Sequence, residues 1–265
     1  EKELLESKGL FETEIIYPTN KTATIANFTL AAIDTVNQLL FTGDQSNRLI
    51  RIIDKNGVVK QTLENQNAFS NIDFTFAKNH QYLFTSIGKT TQANQEIKGA
   101  AFNSDLSKNE LKFGDTLIKN LDRPINTIMA NLDNDSELEL LTCEFGFKEG
   151  GLSIWKKNKQ GIYNKQNLTQ TSGALKAFVK DIDGDSKPDI VALFAQGDER
   201  IVLYKNKGNL QFEESVLLRF PPIYGSNYFD MIDLDKDGKL DIVYAAGDND
   251  DFSTILKPYH GIYIF

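Results

Sequence analysis

The sequence predicts an all-β fold, a β-propeller of four-stranded blades. Three observations carry this: an internal repeat, strand-length apolar runs punctuated by turn residues, and no helical periodicity of note. The repeat is clearest in NLDNDSELELL from Asn131, DIDGDSKPDIVAL from Asp181 and DLDKDGKLDIVYA from Asp233, whose starts lie 50 and 52 residues apart. A period of that length holds four short strands and their turns, and a sandwich gives no reason for a period.

The middle copy spells out one unit in order. A strand, ALKAFVK (174–180), leads into the acidic loop. DIVALF (189–194), the loop AQGDER, IVLYKN (201–206), the turn KGNL and a last strand QFEESVLLRF follow. Two weaker copies precede it, LLFTGDQSNRLIRIID from Leu39 and YLFTSIGKTTQANQEIKGAAF from Tyr82, with IDTVNQ and FAKNHQ where the acidic loop would stand. Five blades are therefore expected in one domain over 1–265: 18–64, 65–118, 121–169, 171–220 and 221–265. The chain ends on GIYIF, in a third-strand slot, and opens with LFETEIIYP, which resembles a fourth strand. Either 10–17 is the closing outer strand of a five-bladed ring, or the five blades belong to a seven- or eight-bladed one.

Composition narrows the function. A net charge of −8 with no cluster of Lys and Arg argues against nucleic acid as a partner. Cys143 is the sole cysteine, so an intrachain disulfide, a cysteine-based structural zinc site and a CxxCH haem attachment are all excluded. No apolar run approaches 18 residues, and the start EKELLE lacks Met and is unlike a signal peptide, as in a processed or partial chain.

The acidic loops are candidate calcium sites. Calcium takes six to eight oxygens, and D-x-D-x-D-G-x-x-D offers side-chain oxygens at positions 1, 3, 5 and 9 and a carbonyl at 7. In the third copy these are Asp233, Asp235, Asp237 and Asp241 with the Lys239 carbonyl, and Gly238 provides the turn. The second offers Asp181, Asp183, Asp185 and Asp189 with the Lys187 carbonyl. The first offers Asn131, Asp133, Asp135 and Glu139, with one charge fewer and no glycine, and is the weaker site. A lone loop of this kind reads equally as a solvated turn; three in one repeat slot favour calcium. Sites this short suit affinities of about 10⁻⁴–10⁻³ M, which are met outside the cytoplasm.

These loops and the strands after them resemble the FG-GAP/VCBS repeats of bacterial propellers. CEFGFKEGGLSIW from Cys143, LFAQGDERIVLYKNKG from Leu193, PPIYGSNYFDMIDLDKDG from Pro221 and GDNDDFSTILKPYHGIYIF from Gly247 resemble VCBS repeat-containing proteins of Bacteroidota. That resemblance implies a location in periplasm, outer membrane or cell surface, and often an upstream lipoprotein signal with its lipid anchor. It also implies further blades in a longer protein.

In a blade the first-to-second loops share one face, and the second-to-third loops and interblade connections share the other. Calcium loops on one face leave the opposite face to hold a ligand or partner. The residues expected there are Asp44, Arg123, Glu144, Gln196, Asp198, Glu199, Tyr224, Asn227, Tyr228, Asp248, Asp250 and His260. The reading is a non-catalytic, calcium-stabilised binding or scaffolding module that docks to an envelope protein. A lectin-like propeller is the alternative if Tyr224, Tyr228 and Tyr259 stand exposed. A polysaccharide lyase or hydrolase, with carboxylates such as Asp198 and Asp248, would need a deep acidic pocket. No residue is assigned a catalytic role.

Overall fold

The computed structural model describes residues 25–32, 38–44, 49–54, 56, 58–64, 71–78, 81–88, 98–107, 110–247 and 257–265. These residues form five antiparallel sheets, each a meander of consecutive strands. Blade 1 holds β1 (Ile25–Ala32), β2 (Gln38–Asp44), β3 (Leu49–Asp54) and β4 (Val59–Glu64). Blade 2 holds β5 (Asn71–Lys78), β6 (Gln81–Ser86), β7 (Gly99–Ser107) and β8 (Glu110–Leu121). Blade 3 holds β9 (Pro124–Ala130), β10 (Glu139–Glu144), β11 (Gly151–Lys157) and β12 (Tyr163–Thr169). Blade 4 holds β13 (Ala174–Lys180), β14 (Asp189–Phe194), β15 (Glu199–Gly208) and β16 (Gln211–Phe220). Blade 5 holds β17 (Ser226–Ile232), β18 (Asp241–Ala246) and β19 (Gly261–Ile264). A single 3-10 turn, Pro222–Tyr224, joins blades 4 and 5. Each blade's first strand packs beside the next blade's, in chain order, which is the inner ring of a β-propeller.

β8 runs to Leu121, past the boundary at 118. Bulges around Ala101, Phe102 and Ser104 put extra residues on β8 and carry its pairing further. The segment 10–17 lies outside the described residues.

Blades stack face to face, and this explains the unbroken apolar run of β14. Ile190, Ala192 and Phe194 meet Leu141, Cys143, Leu152 and Ile154 of blade 3, while Val191 and Leu193 point the other way, to Phe229 and Tyr244 of blade 5. A strand covered on both faces reads as continuous rather than alternating hydrophobicity. The blade 4–5 seam is aromatic: Phe220 stacks on Tyr244 at 4.0 Å and Phe178 meets Phe229 edge-on at 5.0 Å. The Tyr244 hydroxyl lies 2.7 Å from Ser226 Oγ, and burial pushes the phenol up to about 12.

Cys143 is fully buried in the blade 3–4 seam, where burial pushes its thiol far above the usual range. Native protein should therefore show no reaction with Ellman's reagent over minutes and one equivalent in denaturant. A rapid native reaction would mean that the seam opens.

Candidate metal loops and the opposite face

All three acidic loops connect a blade's first and second strands, so they share one face. Their local build repeats. The last carboxylate turns back to cap the loop: N–H of Leu132, Ile182 and Leu234 donates to Glu139, Asp189 and Asp241 at 2.8, 3.0 and 2.8 Å. The third and fifth carboxylates each accept the N–H two residues on, as in Asp185 to Asp183 and Lys187 to Asp185. The fourth position is left-handed in every loop, at Asn134, Gly184 and Lys236. The sixth is left-handed at Ser186 and Gly238, where the N–H reaches back to Asp181 and Asp233 at 2.9 and 3.1 Å.

The carboxylate oxygens of Asp133, Asp135 and Glu139, of Asp181, Asp183 and Asp189, and of Asp233, Asp235 and Asp241 each lie within 4.8 Å of one another. Ligands around one calcium at about 2.3–2.6 Å are separated by up to about 5 Å, so each set fits a single ion. Asp233 Oδ1 and Glu139 Oε1 are buried oxygens without a hydrogen-bond partner, as oxygens that face a cation would be, and the second of them has the Lys156 ammonium 3.4 Å away.

Lysines at the loops escaped the reading of the sequence. Lys156 on β11 pairs with Asp133, Asp135 and Glu139, and Lys205 at the matching place on β15 pairs with Asp183. Lys205 holds the Asp183 carboxyl low, and Lys187 does the same for Asp185 at 2.8 Å. Counting cross-strand pairs from the last loop carboxylate would have found both, since each lysine follows the aromatic residue, Trp155 or Tyr204, that pairs next to it.

Asn206 ties the first two loops together. Its buried amide donates to the carbonyls of Leu132 and Pro188 at 2.8 and 2.9 Å, and its oxygen accepts Gly208 N–H at 2.8 Å. Asn206→Ala leaves these groups unpaired and should cost roughly 2–3 kcal/mol in chemical denaturation. A change under about 0.5 kcal/mol would mean that water replaces the amide.

The opposite face differs from expectation in its acids. Glu144 and Glu199, expected to face a ligand, are buried at 1% and 4% exposure. Glu144 accepts Asp122 N–H at 2.9 Å and pairs with Lys165 at 2.6 Å, and Glu199 accepts both N–H and Oγ–H of Ser226. They staple interblade connections, because the backbone N–H groups at those crossings need buried acceptors. Arg123 likewise spans the blade 2–3 connection, donating to the Gly146 carbonyl at 3.0 Å beside the Phe145 ring. Asp198 pairs with Arg200 and Arg219 at 2.7 and 3.3 Å. Gln196 is half-buried and Asn227 exposed. Tyr224 stacks on Tyr259 at 5.0 Å, and His260 sits edge-on to Tyr259. The side chain of Asp44, and all of Asp248 and Asp250, lie outside what is described.

Of the residues at the mouth of the central axis, the sequence pointed to Tyr228 alone. Asn27, Asp73, Asn126, Lys176 and Tyr228 occupy matching positions beside a bulge at the head of each first strand. Asp73 accepts from Asn126 Nδ2 at 2.7 Å and from Thr75. Lys176 lies over the Tyr228 ring and bonds its hydroxyl. Exposed apolar groups share this face: Phe147 in the β10–β11 loop, Ile223 in the connecting turn and Tyr228, at 57%, 45% and 46%.

Residues 181–244, containing the second and third acidic loops, match the FG-GAP-like repeat family. No curated protein matches the chain. Among solved structures, a gluconolactonase of Xanthomonas campestris is similar over 88% of this chain and 72% of its own, at 13% identity and TM-score 0.56. The Dos1 propeller is similar over 84% and 52%, at 13% identity and TM-score 0.54, so this chain spans about half of it. An α-L-arabinanase of Cellvibrio cellulosa is similar over 91% and 90%, at 11% identity and TM-score 0.51. Identities this low establish the propeller fold alone.

Proposed function

We propose that the chain is a non-catalytic binding module of the bacterial cell envelope, its acidic loops holding calcium and its opposite face docking to a protein partner. The observation that carries the docking reading is the composition of that face: Phe147, Ile223 and Tyr228 stand exposed among charges already paired within the chain. Apolar anchors inside a satisfied polar rim suit protein association. A location outside the cytoplasm follows from the calcium reading, since loops of this size fill only at about 10⁻⁴–10⁻³ M. An envelope lipoprotein of Bacteroidota with an upstream lipid anchor is the setting the resemblance implies.

The competing readings draw less support. Tyr224 and Tyr259 use their ring faces on each other, which leaves Tyr228 as the exposed platform for a sugar. Two of the propellers of like fold are named as a gluconolactonase and an arabinanase, but the five matching positions at the axis mouth carry one carboxylate, Asp73, held by Asn126 and Thr75, and the other acid of the described inner strands, Asp230, lies deeper on β17 and accepts Met231 N–H. Glycoside hydrolysis by the usual route needs a pair.

The test is cross-linking of the tagged chain in the envelope fraction, beside a glycan array and an assay for released reducing ends. A defined protein should be captured by wild type and by Val216→Asp on the outer strand, and lost with Phe147→Asp and Ile223→Asp. Glycan binding abolished by Tyr228→Ala would replace this reading with the lectin, and sugar release with the enzyme.

A further inference from the structure

The three acidic loops are alike in sequence and differ in what already lies against them. In the first, the ammonium of Lys156 reaches all three carboxylates: it pairs with Asp133, lies 2.6 Å from Asp135 Oδ2 and 3.4 Å from Glu139 Oε1. Those three residues are the same set whose oxygens lie within 4.8 Å of one another, so the space between them holds one cation. In the second loop, Lys205 pairs with Asp183 and Lys187 with Asp185, each lysine half-buried like Lys156 but on one carboxylate only, while the buried carboxylate of Asp189 is engaged by backbone N–H groups. In the third, the nearest lysine among the described residues is Lys239, 3.7 Å from Asp237.

We propose that Lys156 is the resident cation of the first loop, held by Asp133, Asp135 and Glu139 where the other two loops take calcium, so that the chain loads two calcium ions and not three. This rests on the calcium reading above. Two further features of the first loop agree with it. Asn131 replaces the first aspartate, and its amide is turned inward, donating to the Asp135 carbonyl at 2.6 Å while its oxygen accepts Asn134 N–H. Ser136 is absent from the left-handed residues, whereas Ser186 and Gly238 at the same position are left-handed and return their N–H to the first aspartate.

The energetics favour the tethered ammonium. Glu139 is fully buried, and a buried carboxylate is tolerated as an anion only beside a cation. Lys156 supplies that charge from a strand of the same blade, at an effective concentration of order millimolar or above. Calcium binding weakly from solution must expel it before gaining any ligand.

The measurement is calcium stoichiometry by titration calorimetry on the chelator-stripped chain, with melting in EDTA as a second readout. Wild type should bind two ions, Asp135→Asn should leave that number unchanged, and Lys156→Met should raise it to three. Three ions on wild type, or two on Lys156→Met, would overturn the proposal. Binding of none would refute the calcium reading separately, and the melting data would then judge the lysine. In EDTA, Lys156→Met should melt several degrees below wild type and Glu139→Gln in that background should restore most of the loss. Equal melting of wild type and Lys156→Met overturns the lysine's role. If Lys156→Met does not fold without metal, the proposal requires that it refold in calcium with three ions bound.

Discussion

Replacing Phe229 by alanine is expected to lower the stability of the chain by about 3–5 kcal/mol. The ring is fully buried in the blade 4–5 seam and meets Phe178 edge-on at 5.0 Å and 82°. Removing it costs the transfer of the ring from water and leaves a cavity that two rigid sheets can close only in part. The contrast is Ile262→Ala on β19, 74% exposed, which should change stability by no more than about 0.5 kcal/mol. Denaturant midpoints of the two variants decide. A loss below about 1 kcal/mol for Phe229→Ala would mean that blade 5 is not bound to blade 4 through this seam.

Calcium is expected to raise the melting temperature by roughly 10–20 °C between EDTA and 100 times the dissociation constant. A site filled at 100 times its dissociation constant adds about 2.7 kcal/mol. Two sites add about twice that, and a chain of this size gains roughly 2–4 °C per kcal/mol. Asp235→Ala and Asp183→Ala should each remove about half of the rise, the first by taking a ligand from the third loop and the second from the second. The orphan oxygen of Asp233 makes the third loop the one to respond at the lower concentration. Magnesium should do less, because it demands octahedral geometry and gives up water reluctantly. Coincident melting curves with and without calcium would leave the loops as self-capped turns. The envelope location would then lose its physical argument.

The propeller was legible in the sequence because its signals are local. The repeat fixes the order of strands, the acidic loops fall between first and second strands, and IVALF (190–194) is apolar throughout because both faces of its strand are covered. The loops could be read position by position since their hydrogen bonds span seven residues or fewer. The opposite face could be named but not resolved into exposed and buried. Glu144 and Glu199 look like any loop-end acids, and only the approach of Asp122 and Ser226 from the neighbouring connections buries them.

What the tertiary structure decided is which cation and which amide meet each loop. Lys156 stands 17 residues beyond Glu139, a separation that antiparallel pairing closes to contact. Asn206 reaches Leu132 across 74 residues because blades 3 and 4 lie side by side. The matching heads of the first strands, with Asp73, Asn126 and Lys176 among them, meet at the axis only when the blades are arranged in a ring. Sequence determines local turns and strand patterns through nearest neighbours, whereas charge pairing and burial between blades depend on positions far apart in the chain that only the packed sheets bring together.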